Sequence, residues 1–278
     1  MYNTIQRFIK RRKAGTTLGT RFHFRKRKME RVKTTVGMVK TETCLMLSKL
    51  LSNTVAYGPF KGLQLSTNVW WGEHDIGNKL LGQYELHVVD KLVELGKDHD
   101  CFIDIGAADG YLAVGLAKAG LYAHIVCFEI SEQGQKATRE TAILNGVSDR
   151  VEIHGIATET SIEAVVGKFG RAVIVCDIEG AEFELLSDAF LQIARDCTLI
   201  VELHDFKNGE PDRRKRLLQR AAMHFDVSSL PRSNPPVHSF RELDHLTDDS
   251  RLLVFSESRP VNMEWICLTP RRGDGSAT

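Results

Sequence analysis

A chain of 278 residues, 42% hydrophobic and 26% charged, buries a full core as one large domain or as a domain with an appendage. Its Leu- and Val-rich runs are cut by charges too soon to cross a membrane, and its six cysteines are scattered without a CxxC pair, which suits buried free thiols in a reducing compartment rather than disulfides or a zinc site. The expectation is a soluble, cytoplasmic protein.

The net charge of +1 hides an asymmetry: twelve of the 37 basic residues and one of the 36 acidic ones precede residue 34, so the remainder is acidic. Residues 1–33 are therefore set apart as a basic N-terminal arm. One reading is a solvated or partly helical arm that packs back on the acidic body. The other gives residues 7–33 an anionic partner or a membrane surface. Residues 34–97 are expected to form a cap with lead-in helices, the last over about 80–95.

From residue 98 onward the pattern is regular. Short runs rich in β-branched residues predict strands at 101–106, 124–130, 151–157, 172–178 and 198–203. Helix-length segments lie between them at 110–119, 131–145, about 159–168 and 180–194. Strand and helix in repeated alternation predict right-handed crossovers and a parallel sheet covered on both faces. After the helix-like DRRKRLLQRAAMHF, the runs RLLVFSES (251–258) and MEWICLTP (263–270) are joined by too few residues for a helical crossover, so they are expected to pair as an antiparallel hairpin at one edge.

Ligands of open parallel sheets sit beyond the carboxyl ends of the strands, and the first strand-to-helix turn carries Asp104, Gly106, Asp109 and Gly110. A dinucleotide fingerprint would need glycine where Ala108 and Tyr111 stand. The actual pattern, D-x-G-x-x-x-G, puts a carboxylate where pyrophosphate would be repelled and a cationic amino acid end tolerated. Glu129, which closes the second strand, is placed to accept from ribose hydroxyls.

The segments FIDIGAADGYLAVGLAKAG, VCFEIS, AILNGVSDRVEIHGIA, VCDIEGAEFELL and LIVELHDF resemble, in order and spacing, the motifs of class I S-adenosylmethionine-dependent methyltransferases, and the DIEGAE tract is similar to that of the FkbM family. The resemblance covers about residues 80–270. It implies a Rossmann-like, mostly parallel seven-stranded sheet with helices on both faces and a C-terminal antiparallel hairpin, a methyltransferase domain over 98–278, and S-adenosylmethionine as cofactor. It implies that Asp104, Gly106, Ala107 and Gly110 meet the methionine and ribose part, Glu129 and Ile130 the ribose and adenine face, Ile156 and Ala157 the adenine, and that Asp177 stands beside the methyl group. Tyr84 and Glu85 are further candidates for the amino acid end.

The implied activity is O-methylation of a small-molecule or glycan hydroxyl, which requires a proton acceptor because an unassisted alcohol attacks poorly at neutral pH. Candidates at the carboxyl ends of the fourth and fifth strands are Glu179, Glu182, Glu202, His204 and Asp205, with His204, oriented or charged by Asp205, favoured and Glu179 or Glu182 next. No metal is expected; Asp177 with Asp205 is the alternative that would hold Mg²⁺. Rival readings are an RNA methyltransferase whose basic arm holds phosphates, and a non-catalytic protein that binds the cofactor as a scaffold. The aromatic and acidic NVWWGEHD segment packs the cap or lines a substrate pocket, and SNPPVHSF reads as a loop.

Overall fold

A computed structural model describes residues 35–67, 75–205, 212–257, 259, 261 and 263–271. The basic arm, most of NVWWGEHD and the residues just after Asp205 lie outside them. Three helices precede the sheet: α1 (Thr35–Leu50), α2 (Ile76–Leu80) and α3 (Leu86–Leu95). There follow β1 (Cys101–Ile105), α4 (Tyr111–Lys118), β2 (His124–Phe128), α5 (Glu132–Leu144), β3 (Val151–His154), α6 (Glu159–Phe169), β4 (Ala172–Cys176), α7 (Glu182–Leu185), α8 (Asp188–Ile193) and β5 (Thr198–Leu203). The chain closes with α9 (Arg213–Ala221), β6 (Phe225–Leu230), α10 (Asp248–Phe255) and β7 (Glu264–Pro270).

The seven strands lie in the order β3-β2-β1-β4-β5-β7-β6. Strands β1 to β5 pair in parallel, while β7 runs antiparallel to both β5 and β6. This is the expected Rossmann-like sheet with its antiparallel edge, with one correction: residues 251–255 of the run RLLVFSES belong to α10, and the partner of β7 is β6. Thr247 caps α10 and two acids stand in its first turn, so the local signals for a helix start override a strand-like composition.

The strands are apolar throughout because both faces are covered. In β1, Phe102 joins the core layer under α1, α3, α4 and α10, while Ile103 and Ile105 join the layer under α6, α8 and α9. All six cysteines are free and buried. Among the described residues no helix is long and apolar enough to cross a membrane.

Candidate functional site

The parallel strands are added outward in one direction from β1 to β3 and in the other from β4 to β5, and this switch in strand order opens a crevice at the carboxyl ends of β1 and β4. Both chains leave the sheet side by side. Asp177 N donates to Ile105 O at 3.0 Å, and a Cβ on Gly106 would stand 2.0 Å from Asp177 O. Only glycine fits, and its φ of +99° is one that side chains rarely adopt. Gly110, at φ +79°, caps α4 against Thr138 and turns the chain into the helix.

The crevice contains a cavity lined by Asp104, Gly106, Ala107, Asp177, Glu179 and Lys79. Sequence reasoning had missed Lys79. Its ammonium is buried, 2.5 Å from Asp109 Oδ2, and lies over the rings of Tyr84 and Tyr111 at 5.0 and 5.6 Å. A charge within the apolar, buried α2 was the only signal for it. Asp104 is buried, and burial followed by the nearby charges of Glu129 and Asp109 pushes its carboxyl up to about 7.

Glu129 is 1% exposed and accepts from Ala108 N at 2.9 Å and Ser131 N at 2.7 Å, so the end of β2 grips the β1 turn. Burial raises its pKa to about 7 despite these bonds. Each oxygen keeps a second lone pair for a ligand hydroxyl. Gly110, Glu129, Ile130, Ile156 and Ala157 lie at the same edge but outside this cavity's lining, and Ile156 is 41% exposed.

His204 is 1% exposed, among four carboxylates. Its Nε2 is 3.2 Å from Glu202, 3.6 Å from Asp177 and 3.9 Å from Glu179, and its Nδ1 is 3.4 Å from Glu182. Burial alone would lower its pKa, but Glu182, Glu202 and Asp177 outweigh this and raise it to about 10. The ring is thus an imidazolium at neutral pH, which runs against the expected proton acceptor. Asp205 does not orient it: that carboxylate is 41% exposed and faces Arg214 at 3.8 Å. Glu182, fully buried, is structural, accepting from His204 N at 2.7 Å and Gly180 N at 2.8 Å.

Two further residues complete the cluster. Glu85, buried at the start of α3 with a left-handed φ of 47°, accepts from Arg259 at 2.7 Å. Arg259 also pairs with Glu202 and Glu257. Burial, followed by the charge of Glu202 and then that of Glu85, holds Asp177 well above the usual carboxylate range against the opposing charges of His204 and Arg259. Among the described residues two groups bring three metal-ligating atoms within 4.8 Å: Asp177, Glu179 and His204, and Glu85, Asp177 and Glu202. In the second, Arg259 already supplies the positive charge an ion would bring, and Asp205 belongs to neither.

No family model matches the chain, and no curated protein does. Among solved structures, an O-methyltransferase from Bacillus cereus in complex with SAH is 13% identical, with 83% of this chain and 90% of that one covered and a TM-score of 0.45. A putative O-methyltransferase from Klebsiella pneumoniae is 14% identical over 81% and 90% of the two chains, with a TM-score of 0.44. TrmN from Thermus thermophilus is 14% identical over 66% and 48%, with a TM-score of 0.40. At these values the likeness carries no conclusion about activity.

Proposed function

We propose that the chain is an S-adenosylmethionine-dependent methyltransferase of the FkbM type that transfers a methyl group to a hydroxyl of a small molecule or glycan. The observation that carries this reading is the lining of the β1–β4 cavity, five carboxylates (Glu85, Asp104, Asp109, Asp177 and Glu179) with one lysine, Lys79, which Asp109 pairs. S-adenosylmethionine matches that set, having two cationic centres and one carboxylate, whereas a pyrophosphate would meet repulsion. Bound there, it would supply a methyl group already activated on a sulfonium sulfur.

The chain's own residues divide the remaining work. Asp104 holds the ammonium, Lys79 exchanges part of its pairing with Asp109 for the carboxylate, and Glu129 meets the ribose hydroxyls, with Ile130, Ile156 and Ala157 toward the adenine. Gly106, Ala107 and Gly110 let the backbone approach closely. His204, as a fixed cation, orients Asp177 and Glu202 rather than accepting a proton. The hydroxyl proton passes to a carboxylate of this edge, for which Glu179 and Glu85 both line the cavity.

Calorimetric titration tests the reading. Glu129→Ala removes the ribose partner and is expected to weaken S-adenosylmethionine binding by about 1–3 kcal/mol, with a melting curve as control for folding. Undiminished affinity in this variant, or tight NAD binding by the parent protein, would overturn the assignment.

A further inference from the structure

A second cavity, of about 310 Å³, lies on the other side of Glu85. It is walled by Asn78 of α2, His87 of α3, Phe255 of α10, Arg232, Glu257 and Arg259, and Glu85 belongs to the linings of both cavities. That shared carboxylate sits in a left-handed conformation at φ 47°, a strain that non-glycine residues retain where the surroundings impose it.

Two lining residues carry polar atoms that the described residues do not satisfy. Asn78 is 2% exposed, yet its buried Oδ1 has no hydrogen-bond partner, and neither has the buried Nε2 of His87. A native interior pairs almost all such atoms, and the cavity wall beside them adds the polar side chains of Gln83, Ser233 and Ser256, which suits a ligand that brings its own donors and acceptors. Burial first, then the charge of Arg232, lower His87 to about 4, so it is a neutral ring with one donor and one acceptor nitrogen. An amide oxygen needs a donor, which a hydroxyl has and a phosphate or carboxylate lacks.

The charges point the same way. Arg232 lies 3.2 Å from Glu257 and 3.5 Å from Glu202, and Arg259 pairs with Glu85, Glu202 and Glu257. The two guanidiniums share Glu202 and Glu257, one carboxylate for each, which leaves no surplus positive charge for an anion.

Resting on the methyltransferase reading, we infer that this cavity binds the methyl acceptor, that the acceptor is an uncharged polyhydroxyl compound, and that Glu85, between the two cavities, takes its proton. At the acceptor one O–H bond breaks and one O–CH₃ bond forms. The proton goes to the Glu85 carboxylate and the S–C electron pair stays on sulfur, so charge balances. The groups facing Glu85 are Arg259 and Glu257 from the segment after α10, Glu202 of β5 and Asp177 after β4; burial first, then Arg259 against Glu202 and Glu257, sets its pKa at about 8. Glu85 is therefore a stronger base than an ordinary carboxylate once ionised.

The test uses parent protein, Ser233→Trp at the exposed lip of the cavity, and Glu85→Gln. Each is titrated with S-adenosylmethionine, then incubated with labelled S-adenosylmethionine and cell extract that is afterwards divided into uncharged small molecules, anion-exchange-retained small molecules and RNA. Label is expected in the uncharged fraction. Parent and Ser233→Trp should bind S-adenosylmethionine alike, Ser233→Trp should label nothing, and Glu85→Gln, assayed at saturating S-adenosylmethionine, should turn over about 10²- to 10⁴-fold more slowly. The isolated labelled product should bind the parent in equilibrium dialysis without cofactor, and fail to bind Ser233→Trp.

Label in the retained or RNA fraction overturns the inference, as does unimpaired transfer by Ser233→Trp. Full turnover by Glu85→Gln at saturating S-adenosylmethionine removes the proton role. Cofactor binding with no label in any fraction overturns the acceptor site and leaves the cofactor reading standing. Absence of cofactor binding by the parent removes the reading beneath both.

Discussion

Four carboxylates surround His204, and the fold depends on that ring being charged. Glu182 and Glu202 are 0% and 2% exposed, and removing the imidazolium would leave both buried beside Asp177 with less compensating charge. His204→Ala is expected to lower stability by about 3–5 kcal/mol at neutral pH, the range for breaking a buried pair from one side. Its pKa is raised from 6.5 to about 10, so this contribution is complete below pH 6.5 and is lost as pH rises through 10. Chemical denaturation at pH 6.5 and pH 10 should therefore show a smaller difference between parent and variant at the higher pH. Equal denaturation midpoints at neutral pH would refute the structural role. His204 was legible in the sequence as a residue of the ligand-binding edge. Its charge state was not, because that depends on Glu182 folding back from the β4 exit and on Glu202 two residues along β5, contacts that spacing does not reveal.

At the scale of elements, β-branched runs located the five parallel strands to within three residues at each end, since a strand buried on both faces has little freedom in composition. Segments with mixed signals were misread. The expected helix over 180–194 is divided at Leu186, because Ser187 caps a new helix by accepting from Phe190 N at 3.1 Å. The edge strand β6 was not legible as a strand: FDVSSL buries only Phe225, as an outer strand can. In α10, the apolar run matters less than the Thr247 cap and Asp248 and Asp249 behind it, at the positive end of the helix. Thr247→Ala should cost about 1 kcal/mol, read as a lower urea midpoint. An unchanged midpoint would mean that packing of Val254 and Phe255, rather than the cap, fixes the helix start. The site residues supplied by α2, by Glu85 and by Arg259 come from far along the chain, which is why Lys79 and Arg259 escaped the sequence reading while the β1 turn did not.

For the whole molecule, the sheet edge concentrates carboxylates that the folded state holds protonated. Burial raises Asp104 from 3.8 to about 7, Glu129 from 4.5 to about 7 and Glu85 from 4.5 to about 8. The unfolded chain gives up these protons first, so each rise is a liability that grows with pH: stability falls from the unfolded values near 4 up to the folded values of about 7 to 8 and then levels off. His204 adds a loss of the same sign that continues to about 10. The protein without ligand should therefore melt at its highest temperature in mild acid and at progressively lower temperature from about pH 5.5 to about pH 9. A cationic ligand in the β1–β4 cavity favours the ionised carboxylates, so S-adenosylmethionine should bind more tightly, and raise the melting temperature further, at about pH 8 than at about pH 6. Melting curves across this range, with and without S-adenosylmethionine, decide both points. A ligand-free stability that rises with pH would show that these carboxyls ionise at ordinary values, and a shift independent of pH would show that the ligand does not meet Asp104.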